Sequence, residues 1–428
     1  MQNPCEILSE LHWRGLIHQQ TEAEGLRKLL ESPQFVYAGF DPTASSLHCG
    51  SLLPLMMLRR FQQFGHCPIA LVGGATGMIG DPSGKSEERV LLSSETLQAN
   101  VEGMQQQMRQ FLDFSGPQAA TLVNNYDWMR DWSYIDFLRD VGKNFPVNVM
   151  LAKDSVRSRL ERQDSGISYT EFSYMLLQAY DFAHLHQSHK CTLQIGGSDQ
   201  WGNITAGIDL ARRMYGAQLH GLTCPLLLTS DGRKMGKTEG GAIWLDAKRT
   251  SPFAFYQYWF NTEDADVLMC LRFLTEIGRE EYQALEETAQ AEPHLRAAQK
   301  RLASWLTEFV HGAVGLQTAI RASEVLFGAE VKDLSDHELL EIFDDVPSCQ
   351  ISYDVFDLGV PIIEAFLQTG LVKSKTEGRR LVDSGGCYIN NLRIADAEYC
   401  LTKKDLASES VIVLRSGKKK FALMRVLN

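Results

Sequence analysis

Short apolar runs alternate with helical segments over the first half of the chain. Five runs are rich in β-forming residues and end in glycine or another turn residue. They are predicted to be strands at Phe35–Gly39, Pro68–Gly73, Ala120–Asn124, Thr192–Ile195 and Thr223–Leu228. Because strands that alternate with helices are typical of a parallel sheet, the pattern predicts a Rossmann-like α/β domain over residues 1–230.

The pattern changes after residue 230. Residues 231–250 are rich in glycine and lysine, which predicts a mobile loop and a connection. Apolar residues at helical spacing, such as Leu302, Leu306 and Phe309, predict an all-helical domain over residues 251–347. We expect a linker at residues 348–358 and a small α+β domain at residues 359–428.

The last domain has clear start and stop signals. Ser374 and Glu377 fit a capping box at the start of a basic helix, and Gly385 and Gly386 should end that helix. Two hairpins follow, the first turning at Asn390-Asn391 and the second at residues 416–417.

Charge is distributed unevenly along the chain. The 428 residues carry a formal charge of -11, which disfavours a protein that simply coats nucleic acid. From Lys373 onward, however, twelve basic residues stand against six acidic ones. This basic tail predicts an RNA-binding module that holds phosphates through charge, and a solvated charged face is the alternative. The candidate RNA-contacting residues are Arg379, Arg380, Lys418, Lys419 and Lys420, together with the earlier pair Arg212 and Arg213.

Several protein classes are disfavoured. The longest nearly uncharged stretch, Cys67 to Gly80, has 14 residues with four glycines, so no membrane span is expected. Nine scattered cysteines without a Cys-x-x-Cys pair indicate reduced thiols and a cytoplasmic protein. The histidines at 184, 186 and 189 would point in different directions on a helix, so we predict no metal site there.

Two glycine-containing turns predict ligand sites. The run from Tyr37 to Ser51 passes from a strand into a helix start, where Thr43 and His48 can donate to phosphate and Gly50 allows close approach. The run from residue 71 to residue 85 matches neither a dinucleotide fingerprint nor a P-loop. In that run, Asp81 is either an ammonium ligand or an ordinary turn residue before proline.

A polar stripe interrupts an apolar helical stretch. Tyr174, Gln178 and Asp181 fall on one helix face, which suits a small polar ligand better than a face turned to water. After the next strand, Asp199 can accept hydrogen bonds from ribose hydroxyls. In the glycine-rich loop beyond, Lys234 and Lys237 can neutralise a departing pyrophosphate, and a solvated surface loop is the alternative.

Taken in order, these segments resemble class I aminoacyl-tRNA synthetases, and within them the bacterial-type tyrosyl-tRNA synthetase family. His48 to Ser51 stand where that family has its HIGH signature, and Lys234 to Thr238 stand at its KMSKS signature. More specific are the runs YAGFDPT, GGATGMIGDPSGK, GISYTEFSYMLLQAYDF and GGSDQWGN. The similarity covers nearly the whole chain.

The resemblance implies a reaction in two steps. Tyrosine attacks the α-phosphate of ATP, which is accompanied by Mg²⁺, and the tyrosyl group then passes to the terminal ribose of tRNA(Tyr). It implies no tightly bound cofactor and no nucleophilic side chain. It also implies a cytoplasmic homodimer, with the segment from Asp136 to Lys153 and the aromatic residue Tyr169 near the partner subunit.

The resemblance further assigns site residues. Tyr37 and Asp181 would hold the substrate phenol. The substrate ammonium would be held by Asp81, Tyr174 and Gln178, with Gln194 close by. Charge on the departing pyrophosphate would be stabilised by Thr43, His48, Lys234 and Lys237, assisted by Lys85 and Arg89. The remaining ATP and adenylate contacts would come from Gly39, Asp41, Gly50, Ser51, Gly197, Asp199 and Gln200.

Two positions depart from the family pattern. Ser51 replaces the second histidine of HIGH, and Ala38 stands where some members have a nucleotide-contacting cysteine. We hypothesise a weakened ATP contact at Ser51. Two alternatives stay open: a synthetase-derived RNA-binding protein with little activity, and the tryptophanyl relative, which shares the fold and mechanism.

Overall fold

The structure is a computed structural model that describes residues 3–83, 92–160, 166–238, 241–331, 334–344, 346–417 and 420–427. It contains two compact units. The first comprises residues 1–250 and 261–310, and the second comprises residues 251–260 and 311–428. The predicted helical region 251–347 is therefore divided between the units, because residues 261–310 pack with the first unit. Within the described ranges, no helix combines the length and apolar character needed to cross a bilayer.

Six strands form the sheet of the first unit. They are β1 (Gln19–Gln20), β2 (Phe35–Phe40), β3 (Cys67–Val72), β4 (Thr121–Asn124), β5 (Cys191–Gly197) and β6 (His220–Cys224). Their order is β1-β6-β5-β2-β3-β4, and all neighbours run parallel except the edge strand β1. This confirms the predicted α/β fold with its Rossmann-like parallel sheet.

The strand boundaries differ most from prediction at β6. The strand ends at Cys224, whereas the apolar run was predicted to remain extended as far as Leu228. Pro225 follows directly and has no N–H to donate to a neighbouring strand, so the hydrogen-bonded ladder ends before it. The two-residue edge strand β1 was not predicted, because Gln19 and Gln20 carry no apolar alternation.

Helices flank the sheet and continue beyond it. In chain order they are α1 (Ile7–Arg14), α2 (Ala23–Leu29), α3 (Cys49–Gln63), α4 (Thr76–Ile79), α5 (Ser94–Phe111), α6 (Tyr126–Met129), α7 (Tyr134–Asp140), α8 (Val147–Leu151), α9 (Asp154–Leu160), α10 (Tyr169–His189), α11 (Trp201–Tyr215), α12 (Pro252–Phe260), α13 (Asp264–Leu274), α14 (Arg279–Ala291) and α15 (Ala297–Leu326). Two short strands, β7 (Lys237–Thr238) and β8 (Gly241–Ala242), pair within the KMSKS-type loop. The long helix α15 is interrupted at Gly312, which has a φ of 74°.

Helix α10 is held firmly because it is packed on several sides. Phe182 is fully buried and its ring lies 5.3 Å from that of Tyr37 on β2. On the α11 side, a Cβ added to Gly207 would lie 3.1 Å from the Cβ of Phe182, so the two helices approach closely. This packing fixes the direction in which the polar stripe of α10 points.

The second unit contains a five-stranded sheet. Its strands are β9 (Ser348–Ser352), β11 (Cys387–Ile389), β12 (Leu392–Arg393), β14 (Val411–Ser416) and β15 (Lys420–Leu427), in the order β12-β11-β14-β15-β9. A separate pair is formed by β10 (Val360–Pro361) and β13 (Cys400–Leu401). The remaining helices are α16 (Asp336–Ile342), α17 (Tyr353–Asp357), α18 (Ile362–Gln368) and α19 (Lys375–Asp383).

The Ser374 cap and the first hairpin of the tail are confirmed, but the predicted linker is not, and the capping box is only half formed because Glu377 Oε2 accepts from the amide of Lys373 at 2.7 Å. Ser374 Oγ accepts from the amide of Glu377 at 3.2 Å, and Asn390 and Asn391 form the first hairpin turn with φ of 50° and 66°. Residues 348–358, predicted to be a linker, instead form α17 and the edge strand β9, which runs parallel to β15. The strand is hard to recognise because Ile351 is its one fully buried residue.

Candidate active site

One cavity of about 330 Å³ gathers most of the predicted site residues. It lies at the carboxyl ends of the parallel strands, next to the switch point between β2 and β5, which is where open α/β sheets bind ligands. The predicted residues that line it are Tyr37, Gly39, Asp41, Thr43, His48, Gly50, Ser51, Asp81, Tyr174, Gln178, Asp181, Gln194, Gly197, Asp199, Gln200 and Lys234. Lys85, Arg89, Lys418, Lys419 and the side chain of Lys237 lie outside the described part of the chain.

The deepest part of the cavity pairs a phenol with a carboxylate. Tyr37 and Asp181 are each 1% exposed, and within the described ranges the Tyr37 hydroxyl has no hydrogen-bond partner. The Asp181 carboxylate accepts from Asn125 Nδ2 and from Trp128 Nε1, both at 3.0 Å. Each donor therefore holds one oxygen atom of the Asp181 carboxylate, and Tyr37 and Asp181 are preorganised to bind a further polar group.

Burial dominates the electrostatics of this pair. It raises the pKa of Asp181 to about 8, although the hydrogen bonds from Asn125 and Trp128 act in the opposite direction. Burial, together with the charge of Asp181, also raises the pKa of Tyr37 well above its usual value. Tyr37 is therefore a neutral donor, and a ligand that donates a hydrogen bond to Asp181 would stabilise the ionised carboxylate that burial by itself opposes.

Two further carboxylates lie toward the middle of the cavity. Tyr174 donates to Asp41 Oδ2 at 3.0 Å, and Thr76 donates to Asp41 Oδ1 at 2.9 Å. Burial raises the pKa of Tyr174 well above its usual value, and the charges of Asp41 and Asp81 raise it further. Such a concentration of negative charge suits a cationic group of the ligand.

Glutamine side chains connect the carboxylate of Asp81 to helix α10. Gln200 Nε2 donates to Asp81 Oδ2 at 2.7 Å, and Gln178 Nε2 donates to Gln200 Oε1 at 3.1 Å. The resemblance grouped Asp41 and Gln200 with the adenylate, whereas their hydrogen bonds join them to Tyr174 and Asp81. The structure thus enlarges the set of groups around the expected ammonium position.

Three contributors were missed by sequence reasoning. Thr76, Asn125 and Trp128 hold the carboxylates: Thr76 lies in the run GGATGMIGDPSGK but was assigned no role, and Asn125 and Trp128 belong to no recognised motif. Asn125 Nδ2 also donates to Thr76 Oγ1 at 3.0 Å, so the networks around Asp41 and Asp181 are linked. A signal was present, because Asn125 directly follows β4, whose carboxyl end lies at the same edge of the sheet.

His48 occupies the start of helix α3 at the other end of the site. Its Nδ1 accepts from the amide of Gly50 at 3.0 Å, so in the neutral ring the proton must be on Nε2. A Cβ on Gly50 would lie 2.7 Å from His48 Cε1, which explains the glycine. The amides of Cys49, Gly50 and Ser51 are bonded within the protein, so what this helix start offers phosphate oxygens is the imidazole N–H and the positive end of the helix dipole.

The KMSKS-type loop is docked against this helix start. Gly236 has a φ of 84°, and a Cβ there would lie 2.9 Å from the Cβ of Cys49. The neighbouring Met235 is buried, with its sulfur 3.6 Å from that of Cys270 on α13. The preceding Lys234 lines the cavity. A buried methionine and a close glycine contact thus bring the first lysine of the loop to the phosphate end.

Other candidate residues lie apart from the cavity. Arg212 and Arg213 end helix α11 and form ion pairs with Asp209 at 2.6 and 2.7 Å. Their charge is therefore partly neutralised. Among the clustered histidines, His184 stacks on Trp128 with ring centroids 4.5 Å apart, and His186 Nδ1 lies 3.0 Å from the carbonyl of residue 191.

Comparison with known proteins agrees with this geometry. Residues 30–328 match the family model described as class I tRNA synthetases (W and Y), and residues 338–424 match that of a tyrosine–tRNA ligase SYY-like C-terminal domain. The fold is that of a class I tRNA synthetase, and the chain belongs to that family.

Close relatives narrow the identification. A tyrosine–tRNA ligase of Rhodopirellula baltica is 60% identical over 98% of this chain and 96% of its own length. The tyrosine–tRNA ligase of Staphylococcus carnosus is 51% identical over 98% of this chain and 99% of its own. A C-terminally truncated mitochondrial tyrosyl-tRNA synthetase of Aspergillus nidulans superposes with a TM-score of 0.68 at 32% identity, covering 75% of this chain and 94% of that one. Within the family, the chain belongs with the tyrosine–tRNA ligases.

The buried carboxyl of Asp181 predicts a pH-dependent effect on stability. In the folded protein the pKa of Asp181 is about 8, above the usual 3.8. Between these two pH values folding takes up a proton, so the free energy of unfolding of the wild-type protein decreases as pH rises from 3.8 to about 8. Asp181→Asn removes the ionisable group. Its melting temperature relative to wild type should rise from about pH 5 to about pH 8 and then level off. A difference that stays constant over this range in thermal denaturation would contradict the assignment.

Proposed function

We propose that this protein activates L-tyrosine with ATP and transfers the tyrosyl group to tRNA(Tyr). The main observation in support is that one cavity contains both parts of the site. It is lined by the buried Tyr37–Asp181 pair, by His48 at a helix start and by Lys234 of the KMSKS-type loop. The first part suits an amino acid with a phenol, and the second suits a polyphosphate. Their connection is what a reaction between the two substrates requires.

The proposed first step is an in-line displacement. A carboxylate oxygen of tyrosine forms a bond to the α-phosphorus of ATP, and the bond from that phosphorus to the bridging oxygen breaks, releasing pyrophosphate. Asp41, Asp81 and Tyr174 would hold the substrate ammonium. His48 Nε2–H, Thr43 and the two loop lysines would stabilise charge on the departing oxygens. Mg²⁺ enters with ATP as part of the substrate.

The second step needs no protein nucleophile either. A hydroxyl of the terminal tRNA ribose forms a bond to the tyrosyl carbonyl carbon, the bond from that carbon to the phosphate oxygen breaks, and AMP leaves with the bonding electrons and takes up the hydroxyl proton on its phosphate. Asp199 and the backbone at Gly197 line the cavity where the adenylate would lie. The protein contributes positioning and charge stabilisation.

The phenol end favours tyrosine over tryptophan. A phenol oxygen can accept from Tyr37 while its hydrogen is donated to Asp181, which satisfies both buried groups. An indole N–H can donate to Asp181 but offers no acceptor, so the Tyr37 hydroxyl would stay unpaired. An unpaired buried polar group costs about 1–3 kcal/mol.

The second unit supplies the proposed tRNA contacts. Arg379 and Arg380 are exposed on helix α19, and Lys420 is exposed at the start of β15. Arg379 lies 3.5 Å from Glu398 in an exposed pair, which leaves it available to an RNA phosphate. Binding through such charges carries little sequence information, and its affinity should fall with salt.

Tyrosine-dependent exchange of labelled pyrophosphate into ATP tests this proposal. Wild-type protein should catalyse exchange with tyrosine and not with tryptophan, whereas a pure RNA-binding protein would show none. Tyr37→Phe should lower kcat/KM for tyrosine about 10-fold through one lost hydrogen bond, with little change for phenylalanine. Tyr180→Phe is the matched control, because Tyr180 lies on α10 but outside the cavity lining. Equal losses in both variants would contradict the role of Tyr37.

Ser51 generates a separate prediction about ATP. Its short side chain lines the cavity where the family signature has a longer imidazole. Ser51→His should restore one hydrogen bond and improve the KM for ATP or the activation rate about 2- to 10-fold. If steady-state exchange kinetics show neither change, the weakened contact at Ser51 does not exist.

We also propose a homodimer and a cytoplasmic location. Apolar side chains between Tyr134 and Leu151 are unusually exposed: Tyr134 62%, Ile135 69%, Val147 59%, Val149 46% and Leu151 43%. Tyr169 is 61% exposed and its hydroxyl lies 3.2 Å from that of Tyr134. Exposed apolar patches of this kind mark protein interfaces. All nine cysteines are free thiols, which agrees with a reducing compartment.

The double substitution Ile135→Asp and Val149→Asp should shift the protein from dimer to monomer, because an interface core does not tolerate unpaired charge. Sedimentation velocity measures this directly. Leu358→Asp is the control, since Leu358 is 89% exposed in the other unit. A dimer that survives the double substitution places the interface elsewhere.

A further inference from the structure

The chain that leaves the KMSKS-type loop is hydrogen-bonded to the segment that carries His48. The amide of Cys49 donates to the carbonyl of Ile243, and the amide of Leu245 donates to the carbonyl of Leu47, both at 2.9 Å. His48 and Trp244 consequently face each other across an antiparallel bridge. The two signature segments are therefore connected by backbone in addition to their side chains.

Residues 243–245 are also hydrogen-bonded to the KMSKS-type loop. The amide of Ile243 donates to the carbonyl of Gly236 at 2.9 Å. Gly236 in turn packs against Cys49, which directly follows His48. Residues 243–245 are thus hydrogen-bonded both to the loop and to the segment that starts helix α3.

The indole of Trp244 contacts the imidazole of His48. Their ring centroids are 6.1 Å apart with an interplanar angle of 73°, an edge-to-face arrangement. The guanidinium carbon of Arg249 lies 3.4 Å from the centroid of the same indole. The amide of Trp244 donates to Thr250 Oγ1 at 3.0 Å. The indole is therefore held by its own backbone and by a stacked cation.

His48 needs such support for its proposed role. The hydrogen bond from Gly50 to Nδ1 restrains one edge of the ring but does not by itself set the tilt of the ring plane. The edge-to-face contact with Trp244 restrains that tilt and with it the direction of Nε2–H. Donors aligned before the reaction stabilise transition-state charge without reorganisation, whereas a misplaced donor loses much of that effect.

We propose that Trp244, stacked by Arg249, is a positioning residue that aligns His48 for pyrophosphate departure. This inference rests on the function proposed above, and it assigns Trp244 no contact with substrate. Because alignment matters mainly in the transition state, loss of the indole should lower kcat for adenylate formation and leave the KM for tyrosine nearly unchanged.

A double-mutant cycle with His48 tests the proposal. His48→Asn removes the imidazole donor, while asparagine can still accept from the helix amide as a cap. Trp244→Leu should lower kcat for pyrophosphate exchange about 10-fold or more in the wild-type background and less than about 2-fold in the His48→Asn background. Similar losses in both backgrounds would overturn the proposal.

A second tryptophan provides the control for general loss of structure. Trp13 is also partly buried under arginines, with Arg14 at 4.6 Å and Arg279 at 5.3 Å from its ring, but it is absent from the cavity lining. Trp13→Leu should leave kcat within about 2-fold of wild type. If Trp13→Leu and Trp244→Leu reduce kcat equally, the effect is structural and the positioning role is wrong.

Arg249→Ala keeps the experiment decisive if Trp244→Leu does not fold, because Arg249 is exposed. It should reduce kcat by a smaller factor, about 2- to 5-fold, again only when His48 is present. A reduction that is independent of His48 would contradict the proposal. Absence of exchange in the wild-type protein would instead refute the proposed function itself, so the two failures are distinguishable.

Discussion

The parallel alignment of β2, β3 and β5 is the constraint on which the site depends. In register, Tyr37 of β2 lies beside Gln194 of β5 and Ile69 of β3. The carboxyl ends of these strands consequently meet at one edge, and the segments after them carry Asp41, Asp81 and Asp199. Antiparallel neighbours would send the same segments to opposite edges of the sheet. Strand direction therefore decides that the dispersed motifs form one cavity.

The proposed recognition of a phenol depends on burying a carboxylate that water would otherwise solvate. Asp181 lies at the inner end of the cavity, where burial opposes its ionised form. Asn125 and Trp128 offset part of this cost by donating to it, and the fully buried Phe182 keeps helix α10 in place. Burying Asp181 thus lowers the local stability of the fold, but it places a directional hydrogen-bond acceptor in an apolar wall.

The phosphate end is organised by backbone more than by side chains. His48 caps its own helix, Gly50 leaves room for the imidazole, and Gly236 allows the KMSKS-type loop to approach Cys49. Both glycines sit where a Cβ would meet another atom at less than a normal contact distance. Lys234 reaches the cavity because the buried Met235 beside it anchors the loop. The fold therefore couples the position of the KMSKS-type loop to the geometry of a helix start.

The sequence by itself determined the class of fold, most strands of the parallel sheet, the hairpin at Asn390-Asn391 and the residues that line the cavity. These features depend on local periodicity, on turn residues and on side chains that follow strand ends directly. The end of β6 was misplaced, although Pro225 marked it, and strand β9 was missed because its pattern is nearly all polar.

Contacts between distant segments were decided by the tertiary structure alone. The position of Asn125 after β4 places it at the correct edge of the sheet, but the sequence does not indicate that Asn125 and Trp128 hold Asp181. Nor does it indicate that Gln200 binds Asp81, or that Trp244 faces His48 across almost 200 residues. Periodicity and spacing report which face of an element is apolar, whereas these contacts depend on how elements pack once strand order is set. Local chemistry therefore identified most of the polar groups that line the cavity, and packing selected the groups that hold them in place.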